Sequence, residues 1–198
     1  GLEAYDADGT LVPGFPVSTG GDHVICSPAV ADLNRDGSEE IIFFSTGHEL
    51  FVVGLDGAAY PGFPVSFDSN FDDSPGPSPA VGDFDADTDL EIVWPVNGGQ
   101  YRLDIILVDT GLTDGSSGEF LDGWPVELPA NSEGSPVVGD IDGDGTADVI
   151  QPIGNSDTDT PDRVYALRAD GAHVGGSPTR LDAHGRPPPV AGELAGDG

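Results

Sequence analysis

The chain has 198 residues, which is enough for one domain with a substantial apolar core. Its 36 acidic residues face only six basic ones, and the formal net charge of −30 argues against nucleic acid or an anionic membrane surface as a partner. The same charge suits cation binding, and adaptation to a high-salt medium is a second explanation of it. No apolar stretch approaches the roughly 20 residues that a membrane-spanning helix needs.

Short apolar runs bounded by turn residues recur along the chain. Four of them are rich in β-branched and aromatic residues: Glu40–Phe44, Leu50–Leu55, Ile92–Val96 and Leu103–Val108. This composition and length are typical of strands. Because no sustained helical periodicity accompanies them, the sequence predicts an all-β fold.

An acidic stretch with a regular spacing lies between two of these apolar segments. Asp140, Asp142, Asp144 and Asp148 occupy positions 1, 3, 5 and 9 of a nine-residue window, with Gly145 at position 6. Four carboxylates this close repel one another unless a cation lies between them. Six to eight oxygen ligands in flexible geometry suit Ca²⁺ better than Mg²⁺, so the stretch is a candidate calcium loop. The alternative interpretation is that these side chains only cap turns of their own backbone.

The acidic stretch is one copy of a repeat. Copies begin at Asp32, Asp83 and Asp140, and a degraded copy begins at Glu193, at intervals of 51, 57 and 53 residues. A second motif, Pro-Gly-Phe-Pro-Val, occurs at Pro13 and again at residues 61–65, with Asp-Gly-Trp-Pro-Val at 122–126. Asp-Gly pairs lie shortly before these motifs, and such pairs between apolar segments indicate hairpins.

Each repeat unit therefore predicts four antiparallel strands, with the acidic loop between the first and the second. Four-stranded units at this period are typical of β-propeller blades. The boundaries expected are the last strands of a blade at 1–18, three full blades at 27–66, 78–128 and 135–182, and the first strand of a further blade at 188–198. Propellers have four to eight blades, so we expect an incomplete ring that is completed by a longer chain or by neighbouring subunits.

The repeats resemble the FG-GAP/VCBS-type propeller repeats, including the calcium-loop repeats of integrin α-chains. The resemblance implies up to three Ca²⁺ ions, each held by side chains at loop positions 1, 3, 5 and 9 and by the carbonyl at position 7. Carried over to this sequence, the implied ligands are Asp32, Asn34, Asp36, Ser38 and Glu40 in the first loop, Asp83, Asp85, Asp87, Asp89 and Glu91 in the second, and Asp140, Asp142, Asp144, Thr146 and Asp148 in the third.

The copies depart from the family pattern at a few positions. Glu40 and Glu91 replace the usual Asp at position 9, and Thr88 stands where the second loop should have glycine. The fourth copy has Ala195 at position 3, so we expect no metal there. An EF-hand is excluded because position 12, where it needs a bidentate Glu, holds Phe43, Trp94 and Gln151 in the three loops.

The sequence contains no recognisable catalytic constellation. Its four histidines share no ligand spacing, and no Gly-x-Ser-x-Gly elbow occurs. We therefore expect no enzyme, but a secreted or cell-surface calcium-binding scaffold for adhesion, ligand binding or surface assembly, with a protein or glycan ligand on a loop face. The alternatives are the propeller portion of a secreted polysaccharide lyase or protease, and a structural subunit of a surface layer or filament.

Overall fold

The computed structural model describes residues 1–24, 26–67, 77–85, 87, 89–97, 103–108, 119–129, 132, 134–154 and 162–181. These residues form twelve strands and no helix, and every strand pairing among them is antiparallel. The prediction of an all-β fold is confirmed. None of the described segments is a helix that could cross a membrane.

The strands form three sheets of four, each in the order of the sequence. The first sheet contains β1 (Ala29–Ala31), β2 (Glu40–Phe44), β3 (Glu49–Gly54) and β4 (Val65–Ser66). The second sheet contains β5 (Ala80–Gly82), β6 (Glu91–Asn97), β7 (Leu103–Val108) and β8 (Val126–Leu128). The third sheet contains β9 (Val137–Gly139), β10 (Asp148–Ile153), β11 (Arg163–Leu167) and β12 (Thr179–Arg180).

Residues 1–18 form a further pair of antiparallel segments. Leu2 bridges to Val17 through two backbone hydrogen bonds of 3.0 and 2.8 Å, and Tyr5 bridges to Leu11. Within the part of the chain described, the three sheets do not close into a ring. Thr88 and the segment predicted at 188–198 lie outside the described residues.

The central strands of the first sheet, β2 and β3, are largely apolar because both faces of that sheet are covered. In the first sheet, Ile42 and Phe44 point towards the second sheet, where they meet Trp94 and its neighbours. Phe43 and Phe51, which are stacked at 4.9 Å, point the other way and pack against the N-terminal pair of segments. Two-sided burial of this kind produces continuous apolar runs and not an alternation of apolar and polar residues.

A second apolar cluster joins the second sheet to the third. It contains Phe84 and Val93 from the second sheet and Val149 and Leu167 from the third. Trp124 packs between the two sheets: the indole is 7% exposed and its Nε1 donates to the carbonyl of Ala169 at 2.6 Å. The sheets are therefore stacked face to face, each against the next along the chain.

The outer edges of neighbouring units touch where a glycine of one meets an Asp-Gly turn of the next. Gly14 adopts φ +94°, and a Cβ there would overlap the carbonyl oxygen of Asp56. Gly123 makes the same approach to the carbonyl of Asp170 in the third sheet. The aromatic-Pro or Ser-Pro bonds that follow are cis at Pro16, Pro64, Pro125 and Pro178. Glycine is thus required for close backbone contact as well as for its positive φ.

The Gly14→Ala variant should be less stable than a Gly9→Ala variant. Both residues have φ near +90°, so both substitutions carry a backbone cost of about 1–2 kcal/mol. Only Gly14→Ala also forces a methyl group against the Asp56 carbonyl, since nothing lies within 4 Å of a Cβ at Gly9; overpacking adds about 1–3 kcal/mol. Urea unfolding of the two variants measures the difference, and equal midpoints would contradict the close approach.

Candidate functional site

Three acidic loops lie at the same place in the three sheets. They connect β1 to β2, β5 to β6 and β9 to β10, and we call them the first, second and third loops. Position 9 of each loop is the first residue of the following strand: Glu40, Glu91 or Asp148. Each of these three residues pairs with the last residue of the preceding strand, so its backbone belongs to the sheet.

The carboxylate at position 9 turns back into its loop. It accepts a hydrogen bond from the backbone N–H at position 2 in all three copies, from Leu33 at 3.0 Å, from Phe84 at 2.7 Å and from Ile141 at 2.9 Å. The three carboxylate-bearing residues are at most 3% exposed. The glutamates at this position therefore reach the same donor as the aspartate of the third loop, although their side chains are one methylene longer.

The carboxylates at positions 1 and 5 cap backbone N–H groups inside the loops. Asp32 accepts from Asp36 and Gly37, both at 2.9 Å, and Asp140 accepts from three successive N–H groups at 2.7–3.2 Å. The position 5 carboxylates accept from the N–H at position 7 at 2.7–2.8 Å. The turn-capping role considered from the sequence is thus present. It leaves room for a cation, because an ionised carboxylate has about four lone-pair sites.

Two of the loops bring three carboxylates together. The ligand oxygens of Asp83, Asp85 and Glu91 lie within 4.8 Å of one another, as do those of Asp140, Asp142 and Asp148. We call these groups the second-loop trio and the third-loop trio. A donor set made only of oxygen atoms suits a hard cation. Asp87 and Asp144, the position 5 residues, belong to the same loops but not to the trios.

The first loop does not assemble three acids in this way, because Asn34 occupies position 3. The Asn34 side-chain N–H₂ donates to Asp36 Oδ2 at 3.1 Å and to the Tyr60 hydroxyl at 2.6 Å, while its Oδ1 accepts from the Asp36 N–H. Its amide oxygen is still a possible ligand.

The position 7 residues Ser38, Asp89 and Thr146 each donate their backbone N–H to the position 5 carboxylate.

The buried carboxylates are electrostatically strained. Burial raises the pKa of Asp148, and the nearby charges of Asp142 and Asp144 add to the effect, while the hydrogen bond from Ile141 opposes it. The pKa of Glu40 is raised chiefly by burial as well, with the Leu33 hydrogen bond opposing. A cation placed among these oxygens would relieve the same repulsion that favours protonation.

Two arginines contact the trios, which the sequence analysis did not foresee. Arg35 of the first loop donates from Nη2 to Asp83 Oδ2 at 2.6 Å, across 48 residues of sequence. Arg168, just after β11, donates from Nε to Asp142 Oδ2 at 2.9 Å. With only six basic residues in the chain, each arginine near an acidic loop was a candidate partner, but spacing alone does not identify which carboxylate it meets.

The loops of neighbouring sheets are also joined through their backbones. The Leu90 N–H donates to the Leu33 carbonyl at 2.8 Å, and the Ala147 N–H lies 3.4 Å from the Asp83 carbonyl. The N–H at position 8 of one loop thus donates to the carbonyl at position 1 or 2 of the preceding loop. The three loops form one continuous acidic edge of the stack.

The Gln151 amide nitrogen and the His173 ring, which lie away from the acidic loops, have structural partners. Gln151 is fully buried in β10, and its Nε2 donates to Ser132 Oγ at 2.9 Å and to the carbonyls of Gly134 and Pro152 at 3.0 and 2.8 Å. His173 lies edge-on to the Tyr165 ring at 5.5 Å. His184, one of the four histidines, lies outside the described residues.

Searches of protein-family models and of curated proteins found no match to this chain. The two trios and their repeated position in successive sheets therefore carry the functional argument.

Proposed function

We propose that this chain is a calcium-binding β-propeller segment that acts outside the cell as a non-catalytic scaffold for adhesion, ligand binding or surface assembly. The observation that carries the proposal is the recurrence of a three-carboxylate group at the same place in two successive sheets. A single acidic cluster on so acidic a chain would be weak evidence of a metal site. Two clusters at the same loop positions of successive sheets are stronger evidence of a repeated function.

The chemistry of the donor set fits Ca²⁺. Each trio offers only carboxylate oxygens, and the resemblance to calcium-loop repeats implies the carbonyl at position 7 as a further oxygen ligand. Ca²⁺ accepts six to eight such ligands at about 2.3–2.6 Å, whereas Mg²⁺ requires a near-ideal octahedron that an irregular loop rarely provides. Asp83, Asp85 and Glu91 would hold one ion, and Asp140, Asp142 and Asp148 a second. The first loop, with Asn34 among its ligands, would hold a third.

The arrangement of the sheets supports the propeller interpretation. Each sheet has four antiparallel strands in sequence order, and each packs face to face on its neighbour, as blades do. The outward face of the third sheet supports a further blade. Ile141 is 47% exposed there, whereas Leu33 and Phe84 at the same loop position are at most 1% exposed beneath the next sheet.

Calorimetric titration of the chelator-treated protein with CaCl₂ tests the proposal. We expect at least two Ca²⁺ ions per chain, and the Asp140→Asn variant should lose one of them. The control is Asp170→Asn, which removes the same charge from an exposed hairpin turn where the side chain caps the Ala172 N–H at 2.9 Å. Absence of binding at millimolar Ca²⁺, or equal losses in both variants, would contradict a specific site.

A further inference from the structure

The second loop is contacted by a side chain that belongs to the first. Arg35 lies at position 4 of the first loop with φ +56°, a left-handed conformation that non-glycine residues rarely adopt. The two N–H groups that follow Arg35 donate to Asp32 at 2.9 Å, so the loop backbone is fixed on the C-terminal side of the arginine. The Arg35 guanidinium then reaches Asp83, the position 1 carboxylate of the second loop.

The third loop has an arginine partner from a different element. Arg168 follows β11 of the same sheet and donates to Asp142, the position 3 carboxylate. Its side chain is 43% exposed, and that of Arg35 is 49% exposed. The second-loop trio and the third-loop trio are thus each contacted by one guanidinium. The two arginines come from unrelated places in the repeat, since position 4 of the third loop is Gly143.

A guanidinium on a ligand carboxylate has two opposite consequences for a divalent cation. It can orient the carboxylate, which strengthens cation binding, or it can repel the cation and neutralise part of the negative charge, which weakens binding. The backbone already fixes most of each loop, because the N–H groups at positions 2 and 7 hold the carboxylates at positions 9 and 5. In the third loop the Asp142 carboxylate that Arg168 contacts also accepts from the Asp144 N–H at 3.3 Å. The orienting contribution of an exposed arginine is therefore small, and the repulsion remains.

We propose that Arg35 and Arg168 are affinity-setting residues that weaken Ca²⁺ binding at the second and third loops. This inference rests on the calcium sites of the proposed function and adds the regulation of their affinity. A unit charge about 6 Å from a divalent cation in a water-like dielectric changes the binding constant by about tenfold. The two arginines would thus keep the sites responsive to changes in extracellular calcium at concentrations where unhindered sites would already be filled.

The experiment measures calcium affinity one site at a time. Asp36→Asn is placed in every background so that the first loop does not contribute. Arg35→Gln is then made together with Asp140→Asn, so that only the second loop is measured, and Arg168→Gln is made together with Asp83→Asn, so that only the third loop is measured. We expect each Gln variant to bind Ca²⁺ about tenfold more tightly than its own single-site background. Arg35→Lys and Arg168→Lys, which keep the charge, should bind like the background, and the gain should shrink in 1 M NaCl, where charges are screened within about 3 Å.

Arg180→Gln is the matched control. It makes the same change in net charge at an exposed residue of β12, which pairs with Arg163 at the end of the sheet away from the acidic loop. Unchanged or weaker binding in Arg35→Gln and Arg168→Gln, or an equal gain in Arg180→Gln, would overturn the inference while leaving the calcium sites standing. Absence of Ca²⁺ binding in the wild type and in every variant would overturn the proposed function together with it.

Discussion

Calcium should raise the melting temperature of the chelator-treated protein by about 8–16 °C for each site that is filled at a concentration 1,000 times its Kd. Binding to the folded state alone adds about 4.1 kcal/mol at that concentration, and a chain of this size gains about 2–4 °C per kcal/mol. The physical reason lies in buried carboxylates such as Asp148 and Glu91, which repel their neighbours in the fold and are hydrated apart from one another in the unfolded chain.

The measurement is thermal unfolding followed by circular dichroism in EGTA, in CaCl₂ and in MgCl₂. The Asp83→Asn/Asp140→Asn double variant should lose most of the calcium-dependent shift, and Mg²⁺ should produce a smaller shift than Ca²⁺ in the wild type. A melting temperature that is the same in EGTA and in CaCl₂ would rule out a structural role for calcium. Equal shifts with Ca²⁺ and Mg²⁺ would indicate screening of the net charge and not a specific site.

Replacement of Trp94 by Ala should cost about 3–5 kcal/mol of unfolding free energy, which corresponds to about 6–20 °C in melting temperature. Trp94 is 2% exposed and stacks on Phe44 of the first sheet with ring centroids 3.6 Å apart. Its Nε1 also donates to the Pro77 carbonyl at 2.6 Å. The substitution therefore leaves a cavity between two sheets and removes the hydrogen bond of a buried carbonyl.

Two further variants separate these contributions. Trp94→Phe keeps an aromatic ring against Phe44 but loses the donor to Pro77, and we expect it to cost about 1–3 kcal/mol, roughly half the loss in Trp94→Ala. Tyr5→Ala removes an aromatic side chain that is 58% exposed, and we expect a change within about 0.5 kcal/mol. Equal losses in Trp94→Ala and Tyr5→Ala would show that the packing of the first sheet on the second contributes little.

The strands were predictable because short apolar runs and the turn residues that bound them are local signals. The runs Glu40–Phe44 and Leu103–Val108 coincide with β2 and β7. The run predicted at Ile92–Val96 is longer in the structure and begins at Glu91, because that residue pairs with Gly82 while its side chain returns to the loop. A charged residue can begin a buried strand when its side chain is hydrogen-bonded within the preceding loop. A hydropathy pattern does not predict this, because it depends on the geometry of that loop.

The candidate site was predictable in part. Spacing identified the carboxylates of the two trios, since positions 1, 3 and 9 of each loop come together as expected. The contacts of Arg35 and Arg168 were not predictable, because they depend on how far one loop lies from an element elsewhere in the chain. The interaction of Gly14 with the Asp56 turn escaped prediction for the same reason.

The three apolar clusters have a consequence for how the molecule comes apart. One joins the N-terminal segments to the first sheet, one joins the first sheet to the second, and one joins the second to the third. Cooperativity in such a stack passes from neighbour to neighbour, as in a linear array of repeats. Loss of the Phe44–Trp94 contact would divide the array into two blocks that unfold at different temperatures. Loss of packing at either end would unfold only the terminal unit and leave the other units folded.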